Sequence, residues 1–571
     1  MKPARIAAAA LLGLGLSACN MAPEHRRPEV ATLPTFPGEV PADAVAAQDV
    51  TWQQFFGDDQ LKRLIARSLE LNQDLAAATA RIEQARAFYR IERANQLPQL
   101  DAGAAASRNQ APLTILDPAL AGSRQTVQFN QFSAQVMVSS FELDFWGRVR
   151  NLTASALQQY LATVEGRRAF RLTLIANVAS TYYDALAGEE GIALAQRTVE
   201  TRSYALGVAK DRLDAGVTSR VDFEQSAILL TQAQTQLAEW QRATAAHWNR
   251  LWVLVGENLQ HEMTASRPIE AAGQFDALDP GLPSTLLIVR PDIRQAENRL
   301  RSANANIGAA RAALFPRIAL TGSFGYASTE LSDLFSSPSQ IWNIGAGIGW
   351  PIFDYGQRRA AVDLATAQRD ELVATYRKTV QTAFSEVATA LENRKRFQEQ
   401  VVAQETAIQA QRRLAETAEL RYMNGISIYL EVVDARRGLF TAEQQMLSLR
   451  ASQLQNGVSL YVALGGGDDE PEVFVAAGAP AAGAPATGAA AFSCAAFPGV
   501  GLIAANAAVI AATRRAAAAA LPVRKPFPSD LRVDAMSFFS LYRDMQPSPV
   551  AAGAPSGRGA GGRRKTGCMG N

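Results

Sequence analysis

Residues 351–359, PIFDYGQRR, and 420–429, LRYMNGISIY, place Gly356 and Gly425 69 residues apart. Residues 141–150, FELDFWGRVR, and 211–220, DRLDAGVTSR, place Gly147 and Gly216 at the same separation. Upstream of each pair stands a proline among apolar neighbours, Leu97-Pro98-Gln99-Leu100 and Phe315-Pro316-Arg317-Ile318, closing a long helix-compatible stretch. A match of both context and spacing marks an internal duplication, one architecture written twice.

Between Gly356 and Gly425 there is neither glycine nor proline, and no proline occurs between Pro351 and Pro471. Within that interval Tyr376, Val380, Ala383, Val387, Ala390, Phe397, Val401 and Ile408 recur in alternating three- and four-residue steps, interrupted by Arg394 and Gln404. This is the seam of a coiled coil that admits small residues. At about 1.5 Å per residue such a helix approaches 100 Å, the length of a strut or tunnel wall. After Gly425 the pattern resumes through Leu430, Val433, Arg437, Phe440 and Gln444 towards Leu464, so a second helix pairs with the first. The first half repeats the plan from Arg148 to about Gly256, and there Gly166, Gly188, Gly191 and Gly207 are expected to interrupt the helix.

Between the prolines and the helices lie strand signals. Trp342, Ile344, Ala346, Ile348, Trp350 and Ile352 alternate with Asn343, Gly345, Gly347, Gly349 and Pro351, giving one apolar face with aromatic ends and one small face. Ile318, Leu320, Phe324 and Tyr326 alternate likewise with Arg317, Ala319, Thr321 and Ser323. Weaker alternation marks residues 97–108 and 127–143 in the first half. Strands of this length with an aromatic rim suit a lipid-facing barrel, although one buried face of a soluble sheet reads the same way. Four strands cannot close a barrel, and open edges within lipid leave backbone groups unpaired at several kcal/mol each. Several copies must therefore share one cylinder: two would supply eight strands and three would supply twelve.

The amino terminus gives the compartment. Lys2 and Arg5 precede an apolar run from Ile6 to Leu16, followed by Ser17, Ala18 and Cys19, a secretory signal with a lipobox. The run is too short to span a bilayer as a mature helix. Cys19 is the expected lipidated first residue, and multiple acyl chains anchor durably. The following Asn20, where an aspartate could stand, resembles lipoproteins sorted to the outer membrane. The other cysteines, Cys494 and Cys568, sit in an Ala/Gly/Pro-rich tail and imply no disulfide framework. With 56 basic against 54 acidic side chains, nothing points to nucleic acid. Three histidines, His25, His247 and His261, and the lack of GxSxG, HExxH, CxxC or P-loop motifs speak against an enzyme and imply no cofactor or metal. Gly557 to Gly562 matches GxGxxG by composition alone, with no strand before it.

From Trp52 to about Gly467 the chain resembles the TolC-like outer-membrane factors, in their NodT-like lipoprotein branch. The resemblance rests on Trp52-Gln53-Gln54-Phe55-Phe56-Gly57-Asp58, Asn72-Gln73-Asp74-Leu75, and above all Arg290-Pro291-Asp292-Ile293 with Ala296-Glu297, Ile307-Gly308 and Phe315-Pro316. It implies an α+β membrane protein: a homotrimer with a twelve-stranded β-barrel in the outer membrane, continued through the periplasm by a coiled-coil α-helical barrel. The implied partners are outer-membrane lipid, a periplasmic adaptor (membrane fusion) protein and an inner-membrane pump of the RND class. The implied function is a passive export duct of a tripartite efflux pump, with protein secretion or a purely periplasmic coiled-coil scaffold as alternatives.

The expected organisation is a signal peptide over 1–18, an extended segment over 19–51, a first repeat over 52–264, a linker over 265–283, a second repeat over 284–466 and a tail over 467–571. By resemblance the duct narrows at the hairpin Arg421-Tyr422-Met423-Asn424-Gly425, with Leu430, Asp434 and Arg437 at the aperture and Tyr422 supporting them. An acidic residue repeated around a threefold axis makes a ring that attracts cations. Leu430, one turn before Asp434, adds an apolar collar, and Arg437, three residues after it, can pair with it. The plainer reading is an exposed ion pair worth about 0.3 kcal/mol. The matching first-half position is Gln225, so the two hairpins differ where a gate needs asymmetry.

Overall fold

A computed structural model describes residues 20–30, 36, 44–112, 126–259, 268–275, 278–279, 281 and 283–467. Cys19, the 1–18 segment, His261 and the tail beyond Gly467, with Cys494 and Cys568, lie outside the described residues.

The chain opens with β1 (Val45–Ala46), α1 (Trp52–Phe55), α2 (Asp59–Leu71) and α3 (Gln73–Ala94). Strands β2 (Asp101–Pro112) and β3 (Thr126–Glu142) lead into the paired helices α4 (Arg148–Asp214) and α5 (Arg220–Val255). After β4 (Leu278–Asp279) and α6 (Pro283–Val289), the second half runs α7 (Pro291–Ala312), β5 (Arg317–Ser328), β6 (Gln340–Gly349), α8 (Gln357–Met423) and α9 (Tyr429–Ala463). Helices α3 and α7 are each 22 residues long, and α4 and α8 are each 67. The expected linker carries structure, since β4 pairs in parallel with β1.

The four glycines of the opening motifs mark the ends of the long helices. Gly147 and Gly356 precede α4 and α8 with φ of 78° and 84°, and Gly216 and Gly425 follow them with φ of 74° and 71°, left-handed conformations that cost a side chain dearly. Both carboxyl ends close identically: Val217 N–H donates to Arg212 O and Gly216 N–H to Leu213 O, as Ile426 N–H donates to Arg421 O and Gly425 N–H to Tyr422 O. This double bond satisfies carbonyls that the helix end would leave unpaired. The quoted landmarks also act at helix ends. Thr51 forms a capping box with Gln54, Asp58 accepts from Gln60 and Leu61 N–H, and Asn72 accepts from Leu75 N–H.

The expected interruption of the first long helix is not found: α4 is continuous from Arg148 to Asp214. Gly188 and Gly191 instead allow α5 to approach. A Cβ on Gly191 would stand 2.5 Å from the Trp240 ring, and one on Gly188 would collide with the Thr244 hydroxyl.

The sheet has the order β2-β3-β5-β6, antiparallel throughout, with a bulge in β3 between Val138 and Phe141. Register puts Ile318 beside Ile348, Phe324 beside Trp342 and Val136 beside Phe324 on one face. The other face carries Ser323, Gly325, Gly345 and Gly347. Trp342, Ile344 and Ile348 remain 70%, 80% and 73% exposed, so the apolar face covers nothing within its own chain. Strands β2 and β6 are both free at their outer edges among the described residues.

The main core lies away from the sheet. Trp52, Phe55, Phe56, Leu61 and Ile65 pack there against Ile175, Val178, Tyr182 and Tyr183 of α4, Leu251 of α5, and Val458 and Tyr461 of α9. Phe55 stacks on Tyr461 at 4.4 Å, and the Tyr461 hydroxyl donates to Val50 O while accepting from Gly467 N–H. The segment just before α1 and the end of the described chain are thereby tied beside the middle of α4.

A strap, residues 20–30, runs along α7 towards its amino end. Arg311 reaches Met21 O, the Gly308 surface meets Ala22, and Val30 joins Ile293, Tyr376 and Val380. Glu297 clasps it, accepting from Arg27 at 2.9 Å and from Arg301 of its own helix at 2.7 Å, with His25 Nε2 at 3.3 Å. On the other side of its ring, His25 Nδ1 lies 3.3 Å from Asn304 Nδ2. The bond from His25, ahead of the two arginines, holds the Glu297 carboxyl at about 2 against the opposing pull of burial. Asn20 and Met21 thus sit beside the last turn of α7, a few residues before β5 begins.

Candidate functional site

Arg290, in the most specific landmark, is a structural tie. Its buried guanidinium donates to both Asp292 oxygens at 3.0 and 2.7 Å and to Ala463 O at the end of α9, and pairs with Glu386 of α8 at 2.8 Å. The candidate site lies away from this tie, at the end of the long helices where α8 turns into α9.

Val432 and Ala435 of α9 pack on Ala415 and Ala418 of α8, with Tyr422, Tyr429 and Leu439 around them. Small residues let the two backbones approach, and this sets which face of α9 points away. That face carries Leu430, Asp434 and Arg437, all exposed and in one stripe of four- and three-residue steps. Arg437 donates to Asp434 Oδ1 at 2.9 Å, so acid and base are paired within this copy. Leu430 stands one turn earlier with 43% of its surface free.

Tyr422 lies around the side of the hairpin, its ring 5.0 Å from that of Tyr429. The guanidinium of Arg212, at the end of α4, lies 5.0 Å above the Tyr422 ring. Ser226 of α5 donates to the Tyr429 hydroxyl at 2.9 Å. Higher up, Arg202 of α4 donates to Leu229 O and covers the Phe440 ring at 5.1 Å. The first-half hairpin therefore grips the second through aromatic and hydroxyl contacts. Arg212, Ser226, Tyr429 and Arg202 were not among the residues singled out from sequence. Their partners lie roughly two hundred positions away, and only the 69-residue match of the hairpins could have aligned them.

A groove of about 1040 Å³ between α4 and the α8–α9 pair begins at the Arg202–Phe440 contact. Glu189, Glu190, Glu405, Glu416 and Glu443 line it together with Arg197 and Arg412. Among the described residues no group of His, Cys, Asp or Glu is placed to hold a metal ion, and no helix is long and apolar enough to cross a membrane.

Comparison with known proteins agrees with this geometry. The model of the family described as Outer membrane efflux protein matches residues 64–257 and 282–466. The probable efflux pump outer membrane protein TtgC of Pseudomonas putida is 39% identical over 458 residues, 79% of this chain and 93% of that protein. The outer membrane protein OprJ of Pseudomonas aeruginosa is 37% identical over 470 residues, 82% and 97% of the two chains. Among solved structures, the MtrE outer membrane channel of Neisseria gonorrhoeae in its open state superposes with a TM-score of 0.71 at 35% identity, over 79% of this chain and 98% of that one. CusC gives a TM-score of 0.69 at 33% identity, over 79% and 100%.

Proposed function

Because this chain belongs to the outer membrane efflux protein family, and so is an outer-membrane component of an efflux pump, we propose that three copies close one twelve-stranded barrel and one helical tunnel that conducts solutes passively. The observation that carries this reading is the four-stranded sheet with two free edges and an uncovered apolar face. An isolated sheet of that kind pays for unpaired edge groups in lipid, and joining β6 of one copy to β2 of the next removes every edge. The ten residues of β6, tilted about 40°, rise about 26 Å, close to the apolar band of about 25 Å typical of such barrels. The order of elements in the two halves, with equal 67-residue helices, supports duplication of one ancestral unit and the 52–264 and 284–466 division.

Cys19 is the proposed acylated residue. Its neighbours Asn20 and Met21 lie where α7 passes into the sheet, the level at which an acyl chain enters the bilayer. At the far end Leu430, Asp434, Arg437 and Tyr422 form the proposed periplasmic gate. The paired Asp434 and Arg437 on an uncovered face, steadied by the Tyr422 contacts, support it. The groove between α4 and the α8–α9 pair supports docking of a periplasmic adaptor, which links the duct to an inner-membrane RND pump. No step of this function makes or breaks a covalent bond.

Ile344→Asp, at the middle of β6, tests the barrel. A carboxylate at mid-band on the lipid face costs about 2 kcal/mol in each copy and abolishes detergent-resistant trimers. Ser323→Asp, on the small polar face, leaves them intact. Trimers that survive both changes, or a soluble folded monomer, refute the shared barrel.

A further inference from the structure

The β2–β3 hairpin outruns its neighbours. Strand β5 ends at Ser328, opposite Phe132, whereas β2 and β3 stay paired for a further six positions, from Ser107↔Gln131 to Pro112↔Thr126. At about 3.4 Å per residue this ribbon projects about 20 Å past the end of the β5–β6 pair. It lies at the end of the sheet remote from the long helices, which is the outer mouth.

Polarity exchanges faces at this point. Lower down, the face shared by Phe132, Val136, Phe324 and Trp342 is the apolar one. The register of β2 and β3 has no irregularity, so the same face continues upward as Arg108, Gln110, Gln128 and Asn130. These side chains bond one another: Arg108 donates to Gln128 at 3.2 Å, Gln128 to Gln110 at 3.0 Å, and Gln110 to Thr126 at 3.4 Å. Such a ladder belongs in water and marks the top of the lipid band. The opposite face, small and polar below, becomes Val127 and Phe129, with Ala111 and Asn109 across from them. These four are half-buried while their outward neighbours are exposed. An alternating strand that keeps its apolar residues on the inner side above the membrane has no lipid to meet there.

Resting on the trimer proposed above, we propose that Val127 and Phe129 of three copies form an apolar collar inside the outer mouth, the narrowest part of the exit. A cylinder of twelve strands spaced about 4.8 Å and tilted about 40° is about 24 Å across. On ribbons that continue the wall of that cylinder, three phenyl rings reaching about 5 Å inward narrow the opening to about 14 Å, whereas Ser323, Gly325, Gly345 and Gly347 lower on the inner face leave it wider. An apolar ring disfavours hydrated ions and gives emerging apolar solutes a surface to slide over. The collar is therefore a specificity-determining element at the end opposite the gate.

The test uses the full lipidated chain with Cys494 and Cys568 replaced by serine. Phe129→Cys is treated in intact outer membranes with a flexible bis-maleimide of about 15–20 Å reach, beside Phe132→Cys as the lipid-facing control. Cross-linked dimers and trimers at Phe129→Cys alone are expected, and Asn109→Cys, which faces the same way, repeats the measurement should the first variant assemble poorly. In planar bilayers Val127→Ser with Phe129→Ser raises single-channel conductance at least twofold. Trimers that form normally yet give no cross-link at either position overturn the collar, as does unchanged conductance, and in both cases the trimer stands. If the unsubstituted protein neither trimerises nor conducts, the duct itself fails and the collar falls with it.

Discussion

Replacing Glu297 with alanine should release the strap. The carboxylate is only 7% exposed and holds three cations or donors, but they do not count equally towards docking. Arg301 lies on the same helix and stays paired whether or not the strap is seated. His25 and Arg27 belong to the strap and lose their partner when it lifts. Arg27 is 43% exposed, so its share is discounted for solvent screening, and the two contacts together contribute about 2 kcal/mol. That is about thirtyfold in the population of lifted strap. Trypsin reads this directly at the Arg26–Arg27 bond, since the next bond, Arg27–Pro28, resists it. Cleavage of the membrane-embedded protein should quicken by about ten- to a hundredfold in Glu297→Ala, by less in Glu297→Gln, and not at all in Glu24→Ala. The acid dependence follows from the direction of the shift. A carboxyl held at about 2 while the strap is docked, and lowered less when only Arg301 remains beside it, stabilises the docked state fully at neutral pH, and this is lost as pH falls towards 2. An unchanged cleavage rate in Glu297→Ala, or one that rises no less in Glu297→Gln than in Glu297→Ala, would refute the clasp.

Four further outcomes follow from the same geometry. Gly256→Ala combines φ of +83° with a Cβ 2.5 Å from Leu71 O and should cost about 2–4 kcal/mol, read as a lower unfolding midpoint in detergent, whereas Gly216→Ala, with open space around it, costs about 1 kcal/mol. Tyr461→Phe removes one bond from each of Val50 O and Gly467 N–H, which keep their bond to each other, and should destabilise by about 1–2 kcal/mol on the same measurement. Asp434→Ala should weaken cation preference and Tyr429→Phe should raise open probability in planar bilayers; unchanged recordings from both would remove the gate from this hairpin. Cys19→Ala should abolish incorporation of labelled palmitate, and persistent label would move the anchor elsewhere.

What could be read from sequence depended on how local the cause was. Gly147, Gly216, Gly356 and Gly425 were legible because a left-handed residue is a backbone demand that announces itself at one position. Strand β6 was legible because isoleucine and tryptophan alternate strictly with glycine, whereas β2 was placed about four residues too early, since Ala102 to Ser107 offers almost no contrast between faces. Gly188 and Gly191 were misread as breaks for a related reason. A glycine tells only that a side chain is absent, and whether it loosens the helix or admits Trp240 and Thr244 depends on a second helix the local pattern does not contain. Among the family landmarks, the Arg290 motif carries the strongest sequence signal, and the structure makes it a tie, with four bonds to three elements.

The site follows the same logic. Leu430, Asp434 and Arg437 could be placed on one stripe from spacing, because all three lie within two turns of one helix. Arg212 over Tyr422 and Ser226 on Tyr429 could not, because those contacts exist only once two hairpins of equal length are laid side by side. Equal length is itself the device: α4 and α8 both have 67 residues, so their ends arrive at one level and a cation from one half can cap an aromatic ring of the other. Shortening α8 by one turn would withdraw Tyr422 by about 5.4 Å and break that contact while leaving both hairpins intact. A seven-residue deletion shared between α8 and α9, keeping the α8–α9 seam in register, should therefore unlock the tip without unfolding the helices. Raised conductance with unchanged helical circular dichroism is the expected pair of readings, and a tip that stays shut would show that the two halves do not hold one another there.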